Sequence, residues 1–115
     1  MIEETLPERP FQRFVLLAVA DLALDDREPV HSFVVRERCT ARTADVTCAE
    51  GGVERAAVLR VLESMTGDGP LTEVEATSPV GKGRPGYELD PDPTAVVDGL
   101  VHDSTVGDYA TSLRD

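Results

Sequence analysis

Seven consecutive apolar residues, Phe14-Val15-Leu16-Leu17-Ala18-Val19-Ala20, lie inside a stretch (residues 11–24) that contains neither Gly nor Pro. The stretch is rich in Leu and Ala and predicts a helix. An ordinary surface helix is apolar along one stripe. This one is apolar nearly all the way round, so it must be covered nearly all the way round. The run is far too short to span a membrane, and Asp21 stops it. The rest of the chain therefore has to be arranged around this helix. At 115 residues the chain is one domain's worth, and a domain near that size buries about two-thirds of its unfolded surface. The cover comes from the rest of the chain or, in part, from a second copy; the pattern alone does not choose.

Residues 1–10, punctuated by Pro7 and Pro10, read as a flexible lead-in. After a polar turn at 25–29, a second helix is expected over about 30–40, with Phe33, Val34 and Cys39 inward and Arg36, Glu37 and Arg38 outward. A polar connection follows and breaks at Gly51-Gly52. Residues 53–65 give the clearest helix. Val58, Val61, Leu62 and Met65 share one face, Ala56, Arg60 and Glu63 the opposite one, and Arg55 lies on the flank. Gly67-Asp68-Gly69-Pro70 ends it. Apolar and polar residues then alternate over 71–75 and again over 87–89, across a Gly-rich tip, which predicts a β-hairpin. Asp92 is placed to cap a short helix with Pro93 in its first position. The Val97, Leu100 and Val101 stripe of that helix seals the core or pairs with a partner helix. Residues 103–115 read as marginal, with Val106, Tyr109 and Leu113 allowing a terminal turn or two of helix.

Charge narrows the setting. Twenty-two acids oppose eleven bases for a formal net charge of −11, and Lys82 is the only lysine. Surplus carboxylates with almost no Lys make a composition similar to that of proteins from salt-in halophilic archaea. At 1 M salt the Debye length is about 3 Å, so such a surface repels itself little. The N-terminal residues are acidic, unlike a secretory leader, and two cysteines are too few for a disulfide scaffold. A soluble, reducing, cytoplasmic setting is the expectation. Along the chain, residues 1–29 carry net −4, residues 30–86 net −1 and residues 87–115 net −6. Any anion-facing surface belongs in the near-neutral middle.

That middle holds residues 53–65, then Gly69-Pro70-Leu71, then Gly81-Lys82-Gly83-Arg84-Pro85-Gly86-Tyr87-Glu88-Leu89. A helix leading through a glycine into a hairpin with a basic, Gly-rich tip resembles the winged helix-turn-helix domain of small prokaryotic transcription regulators of the PadR, MarR and ArsR kind. In that family the wing tip tends to read Gly-Arg-x-x-Tyr-x-Leu, which Gly83 to Leu89 fits. The resemblance covers residues 11–90. It implies an α+β, mostly α fold, with three helices plus a β-hairpin wing and a short C-terminal helix. Residues 1–10 are then a lead-in, 11–90 the winged domain, and 91–115 a C-terminal helix and tail available for dimerisation. It also implies a homodimeric, sequence-specific regulator of transcription that binds double-stranded DNA. The third helix would enter the major groove, and the wing would lie on flanking backbone or in the minor groove.

The residue types suit those roles. Ala56 is small enough for close approach, Arg60 can meet a phosphate or a guanine edge, and Arg55 faces the groove edge. Gly83 lets the backbone approach the duplex, and Lys82 and Arg84 bring charge to phosphates or the minor groove. Arg42, with Arg36 and Arg38, would reach flanking backbone. Two features depart from the family: a long connection between the second and third helices, and a net charge opposite to that of a typical DNA binder. Binding at high salt would gain little from counterion release and would rest more on base and shape contacts.

There is no nucleophile elbow, no phosphate loop and no His-Glu-x-x-His, so neither an enzyme nor a cofactor is expected. Cys39 and Cys48 are not at the spacing of a structural zinc site and read as two free thiols. His31 and His102 are far apart in sequence, and no metal is expected. Two other classes stay open on the same fold. One is a protein–protein interaction module without DNA binding, which the acidic balance favours. The other is a thiol or metal sensor.

Overall fold

Pro10 opens α1 (Pro10–Leu24) at a position where a missing N–H costs nothing, because the first N–H groups of a helix have no intrahelical acceptor. In this computed structural model, which describes residues 7, 9–27, 30–46, 53–66, 69–74 and 86–114, every side chain from Phe14 to Ala20 is buried. The cover comes from the same chain. Helix α4 (Pro93–Leu100) packs along α1, and α2 (Ser32–Ala41), α3 (Arg55–Ser64) and β2 (Gly86–Leu89) take other sides. Helix α1 ends in a Schellman-type turn. Arg27 N–H donates to the Leu22 carbonyl and Asp26 N–H to that of Ala23. Asp26 occupies the left-handed position at φ 58°, which Asp tolerates better than most side chains.

Val30 follows as a single antiparallel bridge to Tyr87 of β2, with N–H···O distances of 2.9 and 2.7 Å. On its other edge β2 pairs with β1 (Leu71–Val74) in the register Leu71↔Leu89, Thr72↔Glu88, Glu73↔Tyr87 and Val74↔Gly86. The return strand is thus held on both edges. The element order is α1, bridge, α2, a 3-10 turn (Thr43–Asp45), α3, hairpin, α4 and α5 (Gly107–Arg114). The chain is α+β and mostly α.

Helix α3 is amphipathic as its spacing predicts. Val58 and Leu62 are fully buried, while Glu54, Arg55, Ala56, Arg60 and Glu63 are exposed. Its last carbonyl turn is used again by the hairpin, since Leu71 N–H donates to the Met65 carbonyl at 3.0 Å. The chain can fold back so tightly because Gly69 has no side chain. A Cβ there would lie 2.3 Å from the Met65 carbonyl oxygen.

Helix α2 follows the expected phase in most positions: Cys39 is buried, Val34 packs half-buried against the core, and Arg36 and Glu37 are exposed. Val35 and Cys39, four residues apart, face inward, and Phe33 is 44% exposed. Two side chains depart from expectation: Phe33, expected inward, faces solvent, and Arg38, expected outward, turns toward Asp21 of α1.

Near the C-terminus, the Asp92 carboxylate accepts from Thr94 N–H at 2.9 Å and Pro93 stands at the first turn, as the sequence predicts. Val96, Val97 and Leu100 are buried in the chain's own core. Helix α5 is the short terminal helix its sequence allows, but it is not marginal. Val106, Tyr109 and Ala110 are fully buried, and the Tyr109 ring meets Phe14 edge-on at 5.9 Å between centroids. Among the described residues no helix is long and apolar enough to cross a membrane.

Candidate nucleic-acid interface

The outward face of α3 runs along Arg55, Ala56, Leu59 and Arg60, with Glu54 and Glu63 at its two ends. Leu59 is 37% exposed. Among the described residues neither Arg55 nor Arg60 makes an ion pair or a side-chain hydrogen bond. Both guanidiniums are held out in water by a helix whose other face is locked into the core.

The arginines of α2 and its C-terminal cap stand in contrast. Arg36 Nε donates to the Val53 carbonyl at 3.0 Å, which ties α2 to the approach to α3. Arg38 binds the Asp21 carboxylate at 2.8 Å and reaches Asp25 at 3.4 Å. Its guanidinium is held protonated still more firmly than usual, chiefly by the hydrogen bond to Asp21. Arg42 lies half-buried with its guanidinium carbon 5.0 Å from the Tyr109 ring centroid and one N–H toward Ser112 Oγ at 3.4 Å. A backbone phosphate contact by Arg42 would have to draw it off that ring.

Lys82, Gly83 and Arg84 lie outside the described residues. The last described pair of the hairpin is Val74↔Gly86, so residues 75–85 connect there. Cys48 also lies outside the described residues, whereas Cys39 is fully buried against the core. His31 stacks on Phe33, 5.8 Å between centroids and 7° from parallel, and His102 is exposed at the far end of α4. Among the described residues no group of three His, Cys, Asp or Glu side chains is placed to hold a metal ion.

Two features escaped the reading of the sequence. The first is a buried polar centre under α2. Tyr109 O–H donates to Asp21 at 2.8 Å, on the carboxylate oxygen opposite the one that Arg38 binds. Burial pushes the Tyr109 phenol far up, and the Asp21 charge adds to the effect, so the phenol stays a donor. A lone carboxylate amid apolar helix residues was the available signal, because a buried charge demands partners. The second is a cleft of about 270 Å³ between the start of α1 and α3, bordered by Arg9 and Arg60 and floored by Phe11, Ala57 and Val61. Its two walls are 51 residues apart in sequence (Arg9 to Arg60), and no local spacing marks it.

No protein-family model matches the chain, and comparison with curated proteins and with solved structures returns no match.

Proposed function

We infer that the chain is a winged helix-turn-helix protein that binds double-stranded DNA and regulates transcription, working as a homodimer in a high-salt cytoplasm. The fold supports this reading through its order of elements. A bridge residue between the first two helices pairs with the return strand of the hairpin, and the third helix feeds straight into the outgoing strand. The observation that carries the reading is the pair of guanidiniums, Arg55 and Arg60, which make no ion pair or side-chain hydrogen bond among the described residues, beside the small Ala56 on the solvent face of α3. Such a face suits the major groove. Lys82, Gly83 and Arg84 at the hairpin tip would add the wing contact, and Arg42 a flanking one once it leaves Tyr109. Two-fold symmetry would ask for half-sites about one helical turn apart.

The test is retention of DNA. Wild-type protein is mixed with a random-sequence duplex pool, retained duplexes are amplified through several rounds, and the enriched duplex is used in a gel shift at matched potassium chloride. The double variant Arg60→Ala, Arg84→Ala should bind at least about tenfold more weakly, each good base or phosphate contact contributing about 1–3 kcal/mol. Its circular dichroism should match wild type. No enrichment, or an unchanged shift, would overturn the reading.

One observation favours a second reading. Leu59 on α3 and Phe33 on α2 are large apolar side chains left exposed, and an apolar residue between two arginines also suits a protein surface. A protein captured by the wild-type chain and lost with Leu59→Asp, together with no duplex enrichment, would favour an interaction module.

A further inference from the structure

We propose that Leu59 is a specificity-determining residue of α3: with Ala56 it forms an apolar strip that reads the C5-methyl group of thymine in the major groove. The proposal rests on the reading of α3 as the helix that enters DNA, and it names a base contact that the charge pattern does not. Leu59 is 37% exposed, the one large apolar side chain left exposed on α3 among the described residues. The core already takes Val58 and Leu62 from this helix, both fully buried. Ala56 is exposed as well and stands three residues before Leu59, so the two side chains are neighbours on the helix surface.

The arginines border this strip on both sides. At 100° per residue the order around the helix is Arg55, Leu59, Ala56, Arg60, and Glu63 lies a further turn along. From Arg55 to Arg60 the helix rises about 7.5 Å, roughly two base-pair steps. Guanidiniums that take guanine edges or phosphates on either side would therefore hold the strip against the bases between them.

The chemistry of the groove then picks the base. Base edges there present donors and acceptors, and the thymine methyl is the apolar group among them. A leucine pressed against any other edge strips water from a polar atom and gives it no partner. Against thymine it buries hydrocarbon on hydrocarbon, so attraction and penalty select the same base. The charge of the molecule makes this contact matter more. Phosphate attraction serves a chain of net −11 poorly and fades as salt rises, whereas an apolar contact is not screened.

The test is a double-mutant cycle between protein and duplex. The duplex enriched by the wild-type chain is remade with each thymine of a half-site replaced in turn by deoxyuridine, which removes only the methyl group. Gel shifts at matched potassium chloride should show one position that binds about fourfold more weakly, the effect of withdrawing one methyl from an apolar contact. In Leu59→Ala that preference for thymine over deoxyuridine should disappear, the signature of a direct contact between the two groups. Leu59→Met, which keeps the apolar volume, should retain it. The preference should also hold as potassium chloride is raised. Melting by circular dichroism checks that both variants are folded. Thymine and deoxyuridine bound equally at every position, or a preference undiminished in Leu59→Ala, would overturn the proposal and leave the DNA reading standing. No enriched duplex would overturn both, and a captured protein lost with Leu59→Asp would then give this face to a protein partner.

Discussion

Asp21 carries more of the architecture than any other single side chain. It is 5% exposed at the end of the apolar run of α1, and its two oxygens are taken by Arg38 from α2 and Tyr109 from α5. A carboxylate in that position is tolerable only with both partners in place. Tyr109→Phe keeps the ring against Phe14 and under Arg42 but removes the donor. It should destabilise the fold by about 1–3 kcal/mol, read from urea unfolding at neutral pH.

Asp103 carries a second residue-scale expectation. Burial alone would raise its pKa, but the backbone N–H groups of Val106 and Thr105 and the Arg13 guanidinium outweigh it and bring the pKa from 3.8 to about 2. The folded-state value is the lower one, so the stabilisation is complete above about pH 4 and is lost as pH falls toward 2. Asp103→Asn should flatten that part of the acid limb. The check is the urea midpoint of both proteins across this window, and an identical slope would count against it.

At the scale of elements, the join between α3 and the hairpin is the tightest point. Gly69→Ala would press a methyl group into the Met65 carbonyl, which Leu71 N–H already uses. Backbone must shift, so a loss of about 1–3 kcal/mol is expected, measured by thermal unfolding. Helices α1, α3 and α4 could be read from the sequence because each follows from local signals: an unbroken apolar run, an i, i+3, i+4 face, and an Asp-Pro cap. Helix α5 was read as marginal because its anchor is Asp21, 88 residues away. The inward turn of Arg38 in α2 is not legible for the same reason, since it answers that distant carboxylate. The candidate interface was partly legible. Arg55, Ala56 and Arg60 face solvent as their 100° spacing predicts. That Arg36, Arg38 and Arg42 are engaged, while Arg55 and Arg60 have no partner among the described residues, depends on groups in the approach to α3, α1 and α5 that no periodicity reveals.

At the scale of the whole molecule, the net charge of −11 on 115 residues sets how the fold responds to salt. Like charges repel over roughly 10 Å at 0.1 M salt but only about 3 Å at 1 M. The melting temperature should therefore rise steadily with potassium chloride over that range, and a flat profile would remove the halophilic reading. The central helix also has a consequence in time. On the ribosome, Asp21 is made 88 residues before Tyr109, a delay of roughly 4–18 s at typical rates of synthesis. Throughout it, a greasy cylinder with a naked anion at one end waits for its lid, and nascent-chain holdases are what would guard it.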